Sequence, residues 1–250
     1  MFVNNINPVL FHLGPFAITW YGILYASSVL IGYFIASHFL IKRKILNEKE
    51  IDEFFIYFVI AMVVGARIGS VLSEWQYYLK NPIEILITWH GGLAFHGSLV
   101  AVIIFGYWYC KTRKKDFYAI ADVLVIPVAL GLAIGRIGNF INVEFYGTIT
   151  NLPWCVQFKG VEGCRHPVQL YESLKNFLIF GFLWYLKDKK MPKGFIFWSF
   201  IFLYGILRFF LEYLKVVPQY FLGLTWGQIW CIPMIIVSGF MLVKLFGRMK

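Results

Sequence analysis

Seven apolar runs, separated by short charged segments, constrain this chain more than any other feature of its 250 residues. A helix needs roughly 20 mostly apolar residues to cross a bilayer. The runs that approach this length are Phe16–Ile41, Phe54–Leu72, Leu93–Cys110, Tyr118–Ile137, Ser173–Leu186, Gly194–Tyr213 and Gly227–Phe246. The fifth is short and is expected to begin earlier, near His166. Only 14% of the residues are charged and 60% are apolar, whereas soluble domains carry roughly 25% charged residues. The surface is therefore built for lipid. The expected fold is all-α, a polytopic membrane helix bundle of about seven transmembrane helices in a single domain over residues 1–250.

The net charge of +10 would suit a nucleic-acid partner in a soluble protein, but its distribution argues against one. The basic residues sit in short clusters between apolar runs: Lys42, Arg43, Lys44 and Lys49; Lys111, Arg113, Lys114 and Lys115; Lys187, Lys189, Lys190 and Lys193; and Lys244, Arg248 and Lys250. With seven spans these four clusters fall on one side, and the opposite loops hold only Lys80, Lys159, Arg165 and Lys215. Cytoplasmic loops carry the excess of Lys and Arg, so the N-terminus is expected outside and the C-terminus in the cytoplasm. No Lys or Arg precedes Lys42. A secretory signal has a basic start, so the first run is expected to be a retained helix.

The extracytoplasmic segments near 73–92 and 138–172 are too long to be simple turns, and ordered long loops are often functional. Trp75, Tyr77, Tyr78 and Trp89 place the first of them along the membrane interface, where amphipathic rings prefer to sit. Cys155 and Cys164 share the second, on the oxidising side, either as a disulfide or as two free thiols. None of the four cysteines, which include Cys110 and Cys231, forms the close pair of a zinc or redox motif.

Charged groups within a membrane are costly and are functional or paired. Placed by depth, they converge on the outer layer: Tyr21 on the first run, Arg67 on the second, His96 at the start of the third, Arg136, Asn139, Asn142 and Glu144 at the end of the fourth. His166, Gln169 and Glu172 open the fifth; Tyr204, Arg208 and Glu212 lie on the sixth and Gln228 on the seventh. Only Asp122 breaks the pattern. Arg67, Arg136 and Arg208 suit a phosphate, because guanidinium presents a planar fork of donors and keeps its charge. Tyr204, Arg208 and Glu212 share one helix face; an Arg208–Glu212 pair that merely neutralises a buried charge explains them equally well. His96 has the chemistry of a base near neutrality, although a lone His is more often structural. Gly131, Gly135 and Gly138 form a small-residue stripe for close helix packing, which accounts for the glycines but not for Arg136, Asn139, Asn142 and Glu144 beside them.

These residues resemble the prolipoprotein diacylglyceryl transferase family of bacteria. Its GRxGNFxNxE block is matched by Gly135-Arg136-Ile137-Gly138-Asn139-Phe140-Ile141-Asn142-Val143-Glu144. Its GGxxFHG element resembles Gly91-Gly92-Leu93-Ala94-Phe95-His96-Gly97, its HPxQLYE element resembles His166–Glu172, and its YGxxRxxxE element resembles Tyr204–Glu212. Shorter matches stand at Trp20-Tyr21-Gly22 and Gly227-Gln228. Ser98 and Lys215 depart from the family's usual Gly and Arg. The resemblance implies transfer of the diacylglyceryl group of phosphatidylglycerol to the lipobox cysteine of a prolipoprotein signal peptide, with release of glycerol 1-phosphate, in the bacterial plasma (inner) membrane. It implies no cofactor and no metal. By that resemblance His96, Arg136 and Arg208 are catalytic; Tyr21, Asn139, Glu144 and Tyr204, with both arginines, bind the lipid; and Arg67, Gln169, Glu172 and Glu212 support them. Glu172 or Glu212 could share the role of base with His96.

Two other functions fit a helical bundle with membrane arginines. An anion transporter or lipid flippase needs polar residues near the midplane for alternating access, and here they crowd one side. A phosphatidyl-group transferase, cutting at phosphorus, would carry an acidic metal-binding cluster at membrane depth, and the sequence has none.

Overall fold

A computed structural model of the chain describes residues 2–14, 16–87, 91–92 and 94–247. Trp89, Leu93, Arg248 and Lys250, each named above, lie outside the described residues. The chain forms eight α-helices among the described residues: α1 Trp20–Lys42, α2 Glu48–Ser73, α3 Trp75–Lys80, α4 Phe95–Thr112, α5 Phe117–Ile141, α6 Val168–Leu186, α7 Phe195–Leu211 and α8 Trp226–Phe246. Five of them, α1, α2, α5, α7 with its extension to Leu214, and α8, are long and apolar enough to cross a membrane. The other two expected spans, α4 and α6, are helices of 18 and 19 residues. Polar side chains interrupt their apolar runs: His96, Ser98 and Lys111 in α4; Gln169, Glu172, Lys175 and Asn176 in α6. Helix α6 does begin close to His166.

Two boundaries differ from expectation. Phe16–Thr19 is not helical but forms strand β3, paired antiparallel with β2 (Val9–Leu13). Gly14, at φ 59°, makes the turn, and the β-branched and aromatic residues Val9, Phe11, Phe16, Ile18 and Thr19 of the two arms favour a hairpin over the first helical turn. Helix α5 does not end at Ile137 but continues to Ile141, so that Arg136 and Asn139 lie inside its last two turns. It stops at Val143, held at φ 58°, where Glu144 N–H donates to Asn139 O at 2.9 Å and Val143 N–H to Phe140 O at 3.3 Å. This is the left-handed C-terminal cap that glycine usually supplies. A β-branched residue there is strained.

The chain divides into two compact units, residues 1–36 with 121–250, and residues 37–120. In the second unit, α2 and α4 cross at glycine. A Cβ on Gly97 would collide with Gly65 O and come within 2.8 Å of Gly69 Cα. Beside the crossing, Ser98 Oγ donates to Met62 O at 2.8 Å, which gives the serine a local role that glycine could not fill. A capping box on Asn47 and Glu50 starts α2, and Lys115 pairs with Glu50 at 2.7 Å.

The first unit packs α5, α6, α7 and α8 around Ile126, Ala129, Ile179, Leu183 and Ile196. Asp122, which stood apart in the sequence, accepts from Gly194 N–H at 2.7 Å and Phe197 N–H at 2.8 Å, capping the start of α7. A small sheet closes the other end of α5. Strand β1 (Phe2–Asn4) pairs parallel with β4 (Val156–Phe158), which pairs antiparallel with β5 (Cys164–Arg165). Phe158 and Val156 pack on Phe140, and the fully buried Asn4 donates to Phe140 O at 2.7 Å. Cys155 and Cys164 form a disulfide, with Cα atoms 5.6 Å apart.

Candidate active site

The polar cluster of the first unit is organised around Glu172, which opens the second turn of α6 and is 1% exposed. Its Oε2 lies 2.6 Å from Arg136 Nε of α5. Its Oε1 lies 2.7 Å from Lys215 Nζ and 3.8 Å from Arg208 Nη1 of α7. A second buried carboxylate, Glu212, sits in the 3-10 turn after α7 and meets the same two cations: Lys215 at 3.0 Å and Arg208 at 3.8 Å. Two carboxylates thus fix three cations. The arrangement is stable only because each of these five charges touches one of opposite sign, since an unpaired ion taken from water costs several kcal/mol.

The remaining residues extend this cluster. Arg136 Nη1 donates to Asn139 Oδ1 at 3.3 Å, and Asn139 Nδ2 donates to Glu144 Oε2 at 2.8 Å. Asn142 donates to the other oxygen of Glu144 at 3.3 Å, and Gln169 Nε2 donates to the Glu144 carbonyl at 2.6 Å. Glu144 is therefore held between two positive-φ residues, Val143 at 58° and Phe145 at 55°. Such backbone outliers cost about 1–3 kcal/mol each and persist where the surroundings over-determine them. Arg208 Nη1 reaches Tyr204 Oη at 3.5 Å. Tyr21 packs closely on Gly138: a Cβ there would be 2.7 Å from the ring. Gly227 does the same for Glu212, since a Cβ would strike the carboxylate. Thr225 Oγ1 donates to Glu212 Oε1 at 3.3 Å, while Gln228 closes a capping box with Thr225 at the start of α8.

These motif residues match a known set of proteins. The prolipoprotein diacylglyceryl transferase family matches residues 8–244. The chain is 41% identical over 240 residues to the phosphatidylglycerol–prolipoprotein diacylglyceryl transferase of Finegoldia magna, covering 96% of both chains. It is 40% identical over 222 residues to that of Desulfotalea psychrophila, 83% of this chain and 80% of the relative. With that of Rickettsia typhi it shares 36% over 260 residues, 99% of this chain and all of the relative. The chain belongs to the prolipoprotein diacylglyceryl transferase family. It is a transferase, and a multi-pass membrane protein by its apolar helices.

In this family member the structure gathers Tyr21, Arg136, Asn139, Glu144, Gln169, Glu172, Tyr204, Arg208 and Glu212 in the first unit. His96 and Arg67 belong to the second. His96 is exposed in the first turn of α4. The three arginines grouped by sequence have different occupations. All five N–H groups of Arg67 go to backbone carbonyls: Nε to Ile85 at 3.0 Å, Nη1 to Gly91 and Gly92 at 2.7 and 2.9 Å, and Nη2 to Ile87 at 2.8 Å and to Glu84. It also stacks on Tyr78, 5.1 Å from the ring centre. Arg67 thus organises the segment that leads to His96. Gly135 differs from the packing role expected of it, because a Cβ there would meet nothing within 4 Å; Gly138 makes the close contact.

Sequence reasoning missed two cations of this transferase. Lys215 was noted only as a loop charge and as a departure from Arg, yet it bridges both buried carboxylates. Lys175 was overlooked, although a lysine three residues after Glu172 inside an apolar run was a usable signal.

Proposed function

We propose that the chain transfers the sn-1,2-diacylglyceryl group of phosphatidylglycerol to the lipobox cysteine thiol of prolipoproteins, releasing glycerol 1-phosphate, as the first step of bacterial lipoprotein maturation. The observation that carries this reading is the pair of guanidinium groups, Arg136 and Arg208, fixed on Glu172. Both arginines keep part of their surface accessible, at 20% and 25% of the side chain. Ready-positioned forked donors of fixed charge are what a lipid phosphate requires.

In the proposed reaction the cysteine thiolate attacks the glycerol carbon. The C–S bond forms, the C–O bond to phosphate breaks, and the electron pair passes to the phosphate oxygen. Arg136 and Arg208 meet the charge that grows there. The thiol must lose its proton to attack, since its ordinary pKa is near 8.5. Glu172 and Glu212 are spent on ion pairs, so His96 is the residue proposed to take that proton. Asn139, Glu144 and Tyr21 order the headgroup and Arg136. The distribution of Lys and Arg supports seven spans, with the site toward the extracytoplasmic side of the plasma (inner) membrane.

The test uses the full chain in detergent or nanodiscs with phosphatidylglycerol and a lipobox peptide, and mass spectrometry of the peptide cysteine. Wild type is expected to add the diacylglyceryl mass, and Arg136→Ala to lose activity by about 100-fold or more. If His96→Gln keeps wild-type activity, the base is another residue. Failure of a well-folded wild type to modify the peptide refutes the reading.

A further inference from the structure

One buried charge has no task in the reaction just described. Lys175 lies on α6 and is 5% exposed. Its ammonium sits 4.0 Å from the centre of the Tyr204 ring, and Tyr204 Oη in turn touches Arg208. Among the described residues no carboxylate forms an ion pair with it, while Glu172 pairs with Arg136, Lys215 and Arg208 instead. Lys175 is within electrostatic range of Glu172, Arg208, Arg136 and Lys215. Removing an ammonium from water costs several kcal/mol, and a desolvated ring returns about 2 kcal/mol. Packing does not require it, because Leu or Met would fill the same length of an apolar helix. The missing stabilisation points to an anion that is not part of the chain.

The sign and size of that anion follow from a charge count. Arg136, Lys175 in its protonated form, Arg208 and Lys215 face Glu172 and Glu212, which leaves two positive charges unbalanced. Glu144 lies exposed at the edge, satisfied by Asn139 and Asn142. We propose that Lys175 is a further member of the phosphate site, whose charge is matched to the departing phosphate monoester rather than to the bound lipid. This rests on the transferase reading above. A phosphodiester carries one negative charge; the monoester released when its C–O bond breaks carries close to two at neutral pH. With Lys175 the cluster has two charges to offer, and without it one. Attraction that grows as the bond breaks lowers the barrier, whereas attraction equal in both states only tightens binding. Lys175 therefore acts on turnover as well as on binding, and on product affinity more than on affinity for the donor lipid.

The test compares wild type, Lys175→Met and Lys175→Arg as full chains in nanodiscs of phosphatidylcholine doped with phosphatidylglycerol, with a lipobox peptide as acceptor. Lys175→Met is expected to lower kcat about tenfold, the effect of one charge about 10 Å away in a medium of effective dielectric about 20. The KM for phosphatidylglycerol is expected to rise about tenfold, by the one charge the phosphodiester already carries, and inhibition by added glycerol phosphate to weaken about a hundredfold, by two. Lys175→Arg, which restores the charge, is expected to keep most of the rate. A folded Lys175→Met with unchanged kcat and unchanged product inhibition overturns the proposal. So does a Lys175→Arg as slow as Lys175→Met, which would mark a packing role. If wild type transfers nothing, the parent reading fails and Lys175 is judged separately, by protection against thermal unfolding with glycerol phosphate. Protection lost in Lys175→Met supports the proposal, and equal protection overturns it.

Discussion

Replacing Glu172 by Gln removes one charge from the centre of the polar cluster while keeping its shape. In the native arrangement the carboxylate meets Arg136 at 2.6 Å and Lys215 at 2.7 Å. At an effective dielectric of about 20, each contact is worth roughly 6 kcal/mol of gross Coulomb attraction. Most of that is offset by the cost of burying the ions. What remains on deleting one partner of a buried pair is about 3–5 kcal/mol, because the other partners stay behind without compensation. At about 2–4 °C per kcal/mol for a chain of this size, Glu172→Gln should lower the unfolding temperature by about 6–20 °C. The assay is thermal unfolding of the full chain in one fixed detergent, followed by intrinsic fluorescence. The double variant Glu172→Gln, Lys215→Met removes a charge of each sign, and should be less damaged than the sum of the two single variants by more than about 1 kcal/mol. Additive losses, or a Glu172→Gln that melts within about 2 °C of wild type, would refute the claim that Glu172 is the anchor of the cations.

Three further outcomes follow from single contacts. Gly227→Ala pushes a methyl group into the Glu212 carboxylate, and should destabilise the chain by about 1–3 kcal/mol; Gly135→Ala, with open space around it, should not, and paired thermal melts decide. Val143→Gly relieves the left-handed backbone at φ 58°, and should stabilise the chain by about 1 kcal/mol; a lower unfolding temperature would show that the valine side chain outweighs the strain. Arg67→Lys keeps the charge but cannot supply five N–H donors in a fork. It should loosen residues 84–87 and 91–92, read as faster amide hydrogen exchange there, and unchanged exchange would contradict the bonding described.

The helices were legible because lipid imposes a simple rule: about 20 apolar residues in succession, with the backbone satisfied within the segment. Every expected span contains an observed helix, with ends shifted by a few residues. The pairing of Arg136 with Asn139 was legible for the same kind of reason, since residues three apart on a helix meet, and they do at 3.3 Å. The N-terminal hairpin was not, because Phe16–Thr19 is as apolar as the helix it precedes and only its partner, Val9–Leu13, makes it a strand. Helix α5 was read as ending at Ile137 because polar residues crowd there, whereas those residues face neighbouring elements and do not break the helix.

The sequence by itself determined a membrane helix bundle, its family, and the layer of polar residues from which a site is built, because hydropathy and motif spacing are local properties. It could not divide the arginines. Arg67, Arg136 and Arg208 carry the same charge in similar apolar settings, and only the tertiary structure decides that Arg67 is consumed by five backbone carbonyls while the other two share Glu172. Nor could it show that Lys215, beyond the end of α7, bridges two buried carboxylates, or that Lys175 brings the cluster to two unbalanced positive charges. Electrostatic energy depends on distance through space, and residues 136, 172, 208 and 215 are brought within a few ångströms only by the packing of α5, α6 and α7.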